Sequence, residues 1–263
     1  LKLKGTSRPE FYQIGQIKRV RIVKRADGYY VQFCVSIERS ELITPSGRAI
    51  GLDVGLTDFY TDSNNETAEN PRFLRKGEQV LRRSQRRVSR KVKGSNNRRK
   101  ARTILGKRHL KISRQRKDHA IKLARCVITS NDVVAYEDLR IKNMVKNHCL
   151  AKSINDASWY QFRVWLEYFG KVFGKITIAV PAAGTSQECP ECHAIVKKSL
   201  STRTHACQCG CVMPRDYASA QVILSRGLAT VGHTGSFMLD MSNASGESTS
   251  TLAGAILSKQ VGS

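Results

Sequence analysis

The sequence predicts an α/β fold with two insertions, a basic helical hairpin and a cysteine-rich zinc ribbon. Short apolar strands that end near acidic residues alternate with helical patterns, as in a sheet covered by helices. A strongly basic segment interrupts this alternation between residues 72 and 125. Two close cysteine pairs follow between residues 189 and 209. These three observations organise the rest of the chain.

The composition indicates a polyanionic partner. A chain of 263 residues can form one large domain with an appendage or two small domains. Its 45 Lys and Arg outnumber 21 Asp and Glu, which gives a net charge of +24. Self-repulsion of this size makes nucleic acid the leading candidate partner.

With no apolar run of membrane-spanning length and no signal peptide, we expect no membrane partner, a cytoplasmic chain and reduced thiols. Because the chain starts at Leu1, we also expect a fragment or a processed product.

The first element is a predicted β-hairpin over residues 13 to 38. Apolar residues alternate with polar ones on both sides of a turn at Asp27 and Gly28. Basic residues at the exposed positions either line a surface for a nucleic-acid backbone or protect an edge strand from aggregation. These residues are Lys18, Arg19, Arg21, Lys24 and Arg25.

An apolar strand then places Asp53 between Gly51 and Gly55. Glycine keeps side chains away from this carboxylate. A lone aspartate here is either a turn or capping residue or part of an acidic site.

The basic segment is a predicted antiparallel helical hairpin with a narrow apolar seam. It contains 22 Lys and Arg against two acids, Glu78 and Asp118. Solvated helix faces usually mix both signs, so this pattern favours polyanion binding. The candidate nucleic-acid-binding residues are Arg82, Arg83, Arg86, Arg87, Arg90, Lys91, Arg98, Arg99 and Lys100.

A further strand, residues 132 to 139, ends in the neighbours Glu137 and Asp138. Successive strand side chains point to opposite faces, so at most one of them can join Asp53. We select Glu137, and expect Asp138 to cap a helix or to face solvent.

Aromatic residues then recur at helical spacing between 155 and 173. This spacing predicts a stripe that faces the core, in preference to platforms on which bases stack. Residues 175 to 180 read as a short buried strand.

The cysteine pairs predict a zinc ribbon. Cys189 and Cys192, with Cys207 and Cys209, suit two turns that deliver four thiolates to a tetrahedral Zn²⁺. Disulfides and scattered free thiols are the alternatives. Since the second pair is one residue tighter than C-x-x-C, three other residues remain possible substitute ligands, although each is better explained as a surface or second-layer residue. These are Cys211, His193 and His205.

Asp216 opens the last helical pattern, and residues 229 to 263 are predicted to lack stable structure. If Asp53, Glu137 and Asp216 converge, cations must offset their repulsion, and oxygen ligands select Mg²⁺ or Mn²⁺. Two such ions suit phosphodiester hydrolysis that leaves a 5′ phosphate.

Several strings resemble the TnpB family of transposon-encoded RNA-guided endonucleases, which is related to the type V CRISPR effectors. The resemblance covers residues 13 to about 228. The strings are Gly51-Leu-Asp-Val-Gly55, AENPRFLRKGEQVLRRSQRRVSRKVKGSNNRRKAR, Tyr136-Glu-Asp-Leu139, MVKNHCLAKSINDASW, TSQECPEC and Arg215-Asp216.

This resemblance implies an RNase H-like, RuvC-type nuclease fold with Asp53, Glu137 and Asp216 as the metal-binding acids. It also implies a guide RNA, a DNA target and a prokaryotic, nucleoid-associated location; no oligomeric state follows. The expected domains are a partial β-barrel, a nuclease domain that contains the basic hairpin, the zinc ribbon, the end of the nuclease domain and the tail. Their bounds are 1–46, 47–186 with the hairpin at 72–126, 187–212, 213–228 and 229–263.

Two departures separate this chain from the family pattern. Family members carry an N-terminal segment that reads a motif beside the target, and from the resemblance we expect this sequence to begin within the β-barrel that follows that segment. After Asp216, Ala218 and Val222 replace two asparagines, and Pro214 replaces an acid. The sequence therefore supports an active nuclease or, alternatively, a decaying relative that binds DNA or RNA as a zinc protein without cutting. A basic ribosome-associated zinc protein is a third, weaker hypothesis.

Overall fold

Residues 12–41, 43–199 and 201–230 are described by the computed structural model, and they divide into two units. The first unit combines the described residues up to Arg39 with Lys76–Arg114. The second combines Ser40–Arg75 with the described residues from Gln115 onward. The predicted tail falls outside the described residues, except that positions 229 and 230 end a helix.

The first unit begins with the predicted hairpin. Strands β1 (Ile17–Arg25) and β2 (Gly28–Val35) pair antiparallel, with Ile22 opposite Val31. A short 3-10 turn, Ile14–Gln16, precedes them. The hairpin prediction is therefore confirmed for residues 14–35.

Two long helices form the predicted basic hairpin, α1 (Phe73–Ser89) and α2 (Asn96–Ser130). Within the first unit they run antiparallel, since Arg108 of α2 donates 3.0 Å to the carbonyl of Val80 on α1. Of the predicted apolar seam, Leu81, Val88 and Ile112 are buried. Its other two members, Leu74 and Leu105, are half-buried. Arg114 of α2 also donates to Asp27 of the β-hairpin over 2.7 Å.

The second unit is built on a five-stranded mixed sheet. Its strands are β3 (Ala49–Val54), β4 (Asp58–Asp62), β5 (Thr67–Glu69), β6 (Val133–Asp138) and β7 (Ile176–Pro181). Their order is β5-β4-β3-β6-β7. The last three strands in that order are parallel, and β4 and β5 pair antiparallel at one edge. The predicted α/β class is confirmed.

Helices cover both faces of this sheet. The remaining helices are α3 (Ile141–Met144), α4 (His148–Ala157), α5 (Trp159–Phe173) and α6 (Arg215–Thr230). The larger core joins one face to α4, α5 and the last turns of α2, and α6 packs on the other face. The predicted aromatic stripe is indeed core, because Phe162 and Phe169 of α5 are buried there. The helical pattern is interrupted at Ser158, whose φ of 59° ends α4.

Between β7 and α6 lies a small segment with a two-stranded sheet, β8 (Thr204–Ala206) and β9 (Val212–Pro214). Its first turn is fixed by a bridge between Glu188 and Ile195. Among the described residues, none of the helices has the length and apolarity that crossing a membrane requires.

Gly51 sets how closely α6 approaches the sheet. A Cβ at this position would lie 2.2 Å from the carbonyl oxygen of Ala220 and 2.7 Å from the amide of Leu224. We expect Gly51→Ala to lower the free energy of unfolding by about 3 kcal/mol or more, since backbone atoms of a packed helix cannot yield cheaply. Urea denaturation measures this effect. Gly15→Ala is the control, because no atom lies within 4 Å of that site; equal stability of the two variants would contradict the close approach.

Candidate active site and metal centre

The register of the parallel strands brings Asp53 and Glu137 together. Leu52 of β3 pairs with Tyr136 of β6, so the residues that follow each of them lie side by side on one face. Gly51, two positions before Asp53, has its Cα facing α6. Asp53 and Glu137 therefore point to the side of the sheet that α6 covers.

Asp216 joins this pair from the first turn of α6. Burial raises the pKa of Asp53 well above its ordinary value, and the charges of Glu137 and Asp216 raise it further. A hydrogen bond from Ser219 and the charge of Arg215 act in the opposite direction. Asp53 is thus a half-buried carboxylate under repulsion from two other acids.

Glu137 is held by a residue that the sequence did not single out. The hydroxyl of Thr185, itself only 2% exposed, donates to Oε1 of Glu137. Burial raises the pKa of Glu137, while this hydrogen bond and the charge of Arg226 lower it. Arg226 also binds both the carboxylate of Glu188, at 2.6 and 3.0 Å, and the carbonyl of Ala183, at 2.8 Å.

Asp216 is the most accessible of the three acids. Its side chain is 42% exposed, and it lies 3.2 Å from Nε of Arg215 and 3.8 Å from Nη1 of Arg203. Asp138 points elsewhere and pairs with Arg163. The expectation that Asp138 stays outside the acidic cluster agrees with this geometry.

The oxygens of these three acids stand farther apart than the ligand atoms of the cysteine cluster, since no group of described residues that contains them has all its ligand atoms within 4.8 Å of one another. Acids placed around one site are still suited to hard divalent cations, because such ions offset the repulsion and prefer oxygen ligands. The supporting residues Thr185, Ser219 and Arg226 were missed from the sequence. Ser219 stands three residues after Asp216, on the same side of a helix, and that spacing was an available signal. Nothing in the sequence links Arg226 to Glu137.

Four cysteines form a second cluster. The ligand atoms of Cys189, Cys192, Cys207 and Cys209 all lie within 4.8 Å of one another. The sulfurs of Cys189 and Cys209 are 3.7 Å apart, and those of Cys192 and Cys207 are 3.5 Å apart. With Zn–S bonds of about 2.3 Å, a tetrahedral site needs sulfurs about 3.8 Å apart. The four cysteines could hold zinc, and all are free thiols rather than disulfides.

The three possible substitute ligands occupy different places. His193 is exposed and lies 2.7 Å from a carboxylate oxygen of Glu188. Cys211 and His205 are buried, and together with Cys189 they form a group whose ligand atoms also lie within 4.8 Å of one another. Of the two predicted places, surface or second layer, Cys211 and His205 occupy the second, because β8 and the turn before β9 direct both side chains inward beside Cys189.

The candidate nucleic-acid-binding residues lie in the first unit and are exposed, apart from the half-buried Arg98. Arg98 donates to the carbonyl of Lys91 over 3.0 Å, and Arg82 pairs with Glu78 at 2.5 Å. One shallow groove on α1 is lined by Arg82, Gln85, Arg86, Ser89 and Arg90. These side chains recur every three or four residues and so share one helix face.

Comparison with known proteins adds two family matches. Residues 32–148 match OrfB_IS605, described as "Probable transposase". Residues 159–223 match the Cas12f1-like TNB domain.

Two curated relatives were found. A Streptomyces pristinaespiralis protein named "Putative RNA-guided DNA endonuclease" is 37% identical over 200 residues, which cover 74% of this chain and 50% of the relative. An Escherichia coli K12 protein named "Putative RNA-guided DNA endonuclease InsQ" is 31% identical over 235 residues, which cover 83% of this chain and 58% of the relative. The chain thus spans about half the length of these curated relatives, 50% of one and 58% of the other.

Among solved structures, the chain is similar to one from a "Cas12f1-sgRNA-target DNA complex" determined by cryo-electron microscopy. The TM-score is 0.49 at 13% identity, and the match covers 78% of this chain and 55% of that one.

Proposed function

Because the chain belongs to the TnpB family, we propose that it acts as a transposon-associated, RNA-guided DNA endonuclease that depends on Mg²⁺ or Mn²⁺. The observation that carries this proposal is that Glu137, beside Asp53 in the register of β3 and β6, and Asp216 of α6 both lie close enough to Asp53 for their charges to raise its pKa. The printed names of both curated relatives support the same activity. In this proposal residues 47–186 and 213–228 form the RuvC-type nuclease domain, and residues 187–212 form its zinc ribbon.

Asp53, Glu137 and Asp216 are the proposed ligands of the catalytic cations. When bound, two such ions supply an activated water and stabilise charge on the leaving 3′ oxygen, which leaves a 5′ phosphate on the product. Thr185 orients Glu137, and Ser219 orients Asp53. Arg226 limits the negative charge at Glu137 without contributing a cation ligand.

The zinc ribbon has a structural role in this proposal. Thr185 lies four residues before the first ligand, Cys189, and β9 leads directly into α6 and Asp216. A metal ion held by Cys189, Cys192, Cys207 and Cys209 would therefore fix the segment whose Thr185 holds Glu137 and the start of the helix that carries Asp216. Four thiolates leave no open position for substrate, as in structural zinc sites.

The exposed basic face of α1 is the proposed site for the phosphate backbone of guide RNA or target DNA. We expect the triple variant Arg82→Gln, Arg86→Gln, Arg90→Gln to weaken RNA binding. The logarithm of the RNA association constant should also fall less steeply with the logarithm of the salt concentration, with a slope smaller in magnitude by about 2 to 3. Filter binding at several salt concentrations measures both. The control has the same charge change at exposed lysines of the second unit, Lys142→Gln, Lys146→Gln and Lys171→Gln. Equal slopes for the two triple variants would contradict a role for the α1 face.

The activity itself is tested by expressing the chain with its flanking transposon DNA and sequencing the RNA that copurifies. A discrete transposon-end transcript, together with Mg²⁺-dependent nicking of DNA that matches it, is the expected result. Bulk ribosomal RNA would indicate binding through charge alone and would contradict guidance by a specific RNA.

One observation favours a second function, binding without cleavage. Ala218 and Val222, which occupy the positions of the two family asparagines, are buried, and their side chains offer no polar atom. A purified protein that binds the transposon-end RNA but does not nick DNA in Mg²⁺ or Mn²⁺ would establish this alternative. The family membership argues against a ribosome-associated protein.

A further inference from the structure

Glu137 stands at the end of its strand, where the sheet holds the backbone least. The pairing of β6 with β3 ends at Tyr136, one residue before Glu137. On the other side, the final pair joins Asp138 to Pro181, which has no N–H group to donate. The chain then turns away, since the N–H of Leu139 donates 3.0 Å back to the carbonyl of Glu137. Contacts outside the sheet must therefore help to fix the orientation of Glu137.

Arg163 of α5 contacts both neighbours of Glu137 in β6. Side chains alternate along a strand, so Tyr136 and Asp138 point to the face opposite Glu137, toward α5. The guanidinium of Arg163 lies over the Tyr136 ring, with 5.7 Å between Cζ and the ring centroid. Its Nη1 also donates to Oδ1 of Asp138. One side chain thus holds β6 on both sides of Glu137.

Glu167 joins these contacts into a network. It lies one turn after Arg163 on α5, and its Oε1 accepts from Nε of Arg163 over 2.8 Å. The same oxygen accepts from the hydroxyl of Tyr136 over 2.7 Å. A guanidinium presents its donors in a fixed plane, which suits a bridge between two carboxylates better than the single ammonium of lysine does. The network therefore fixes the guanidinium to α5 while it reaches the end of β6.

The exposure of this network argues for a role in geometry more than in stability. The side chains of Arg163, Asp138 and Glu167 are 35%, 53% and 43% exposed, and ion pairs at such exposure contribute little to folding. Groups beyond the ligands of a metal site, in contrast, orient those ligands and so set the affinity for the metal ion.

We propose that Arg163 is a positioning residue for Glu137 in the proposed cation site. It acts through Tyr136 and Asp138, the two neighbours of Glu137, and contacts no proposed cation ligand itself. This inference rests on the proposed function. It also gives Asp138 a role as the acceptor for Arg163, a role that Asp138→Asn preserves because the amide keeps an oxygen at the same place.

The test begins with Arg163→Met, which removes the donors and keeps an apolar stem. We expect the affinity of the purified chain for Mn²⁺, measured by electron paramagnetic resonance, to fall about 10-fold. Lys171→Met is the matched control, because it removes the same charge from an exposed position in the last turn of α5. Its Mn²⁺ affinity should equal that of the wild type, and urea unfolding should change little in either variant.

Two further backgrounds separate positioning of Glu137 from a general loosening of the site. Arg163→Met should weaken Mn²⁺ binding in the Asp216→Asn background, where Glu137 remains. It should have no further effect in the Glu137→Gln background, because the carboxylate that it positions is gone. Equal further losses in both backgrounds would overturn the inference, as would equal Mn²⁺ affinities of Arg163→Met and Lys171→Met.

If Arg163→Met does not fold, Asp138→Ala and Asp138→Asn carry the test. Both remove the charge of Asp138, but only the amide keeps an acceptor for Arg163. We expect Mn²⁺ to bind at least about threefold more weakly to Asp138→Ala than to Asp138→Asn, and equal affinities would overturn the inference. A wild-type protein that binds no Mn²⁺ would instead overturn the proposed cation site itself.

Discussion

Asp53→Asn is expected to reduce Mg²⁺-dependent DNA cleavage at least about 1000-fold, a loss of about 4 kcal/mol of transition-state stabilisation. The amide keeps the shape of the side chain but removes the negative charge that would bind the cations between β3, β6 and α6. Binding of guide RNA should remain, because the basic face of α1 is untouched. Nicking of a guide-matched plasmid measures the first effect, and filter binding measures the second.

The same substitution should stabilise the metal-free protein. The pKa of Asp53 is raised well above 3.8, mainly by burial and then by Glu137 and Asp216, so the folded state binds its proton more tightly than the unfolded state does. In EDTA, the free energy of unfolding must therefore fall as the pH rises above about 4. The fall ends once the pH has passed the pKa of Asp53 in the folded state. Asp53→Asn removes this loss, and we expect a gain of about 1 kcal/mol at neutral pH that disappears in acid.

Asp138→Asn is the matched control for both effects. Asp138 is the next acid along the chain from Glu137, but it is paired with Arg163 outside the cluster. We expect it to keep cleavage within about threefold, since no proposed cation ligand is lost. Cleavage that survives Asp53→Asn, or that fails equally in Asp138→Asn, would show that the acids do not act as assigned.

Removal of zinc should cost the acidic site most of its affinity for divalent cations. Glu137 depends on Thr185, and Arg226 ties α6 to Glu188, just before Cys189. Asp216 has Arg203 beside it, from the segment that precedes β8.

Without the metal ion these segments lose their common anchor, because structural zinc sites supply folding energy directly. We expect Mn²⁺ to bind about 10- to 100-fold more weakly, an effect similar to that of losing the groups that orient a ligand.

Mn²⁺ affinity can be measured by electron paramagnetic resonance on wild-type protein, on zinc-depleted protein and on Cys189→Ser. Zinc added back should restore binding to the wild type only. Cys149→Ser is the control, since this exposed cysteine of α4 lies outside the ribbon. Equal Mn²⁺ affinity with and without zinc would mean that the acidic site forms independently of the ribbon.

Local patterns allowed much of the fold to be predicted. Alternation identified β1 and β2, and apolar spacing identified the basic hairpin, because both signals depend on residues close in sequence. The cysteine pairs were found for the same reason. The break at Ser158 was not foreseen, since only the left-handed backbone conformation of Ser158 separates α4 from α5.

By itself, the sequence determined which groups are present: three separated acids, four closely spaced thiols and a concentrated positive charge. The tertiary structure decided which of them meet. The register of β3 against β6 sets Glu137, and not Asp138, beside Asp53, and the packing of α6 on Gly51 brings Asp216 and Ser219 to the same place. Thr185 and Arg226 acquire their partners only in the folded protein, because contacts between distant segments depend on strand register and helix packing, which no short stretch of sequence encodes.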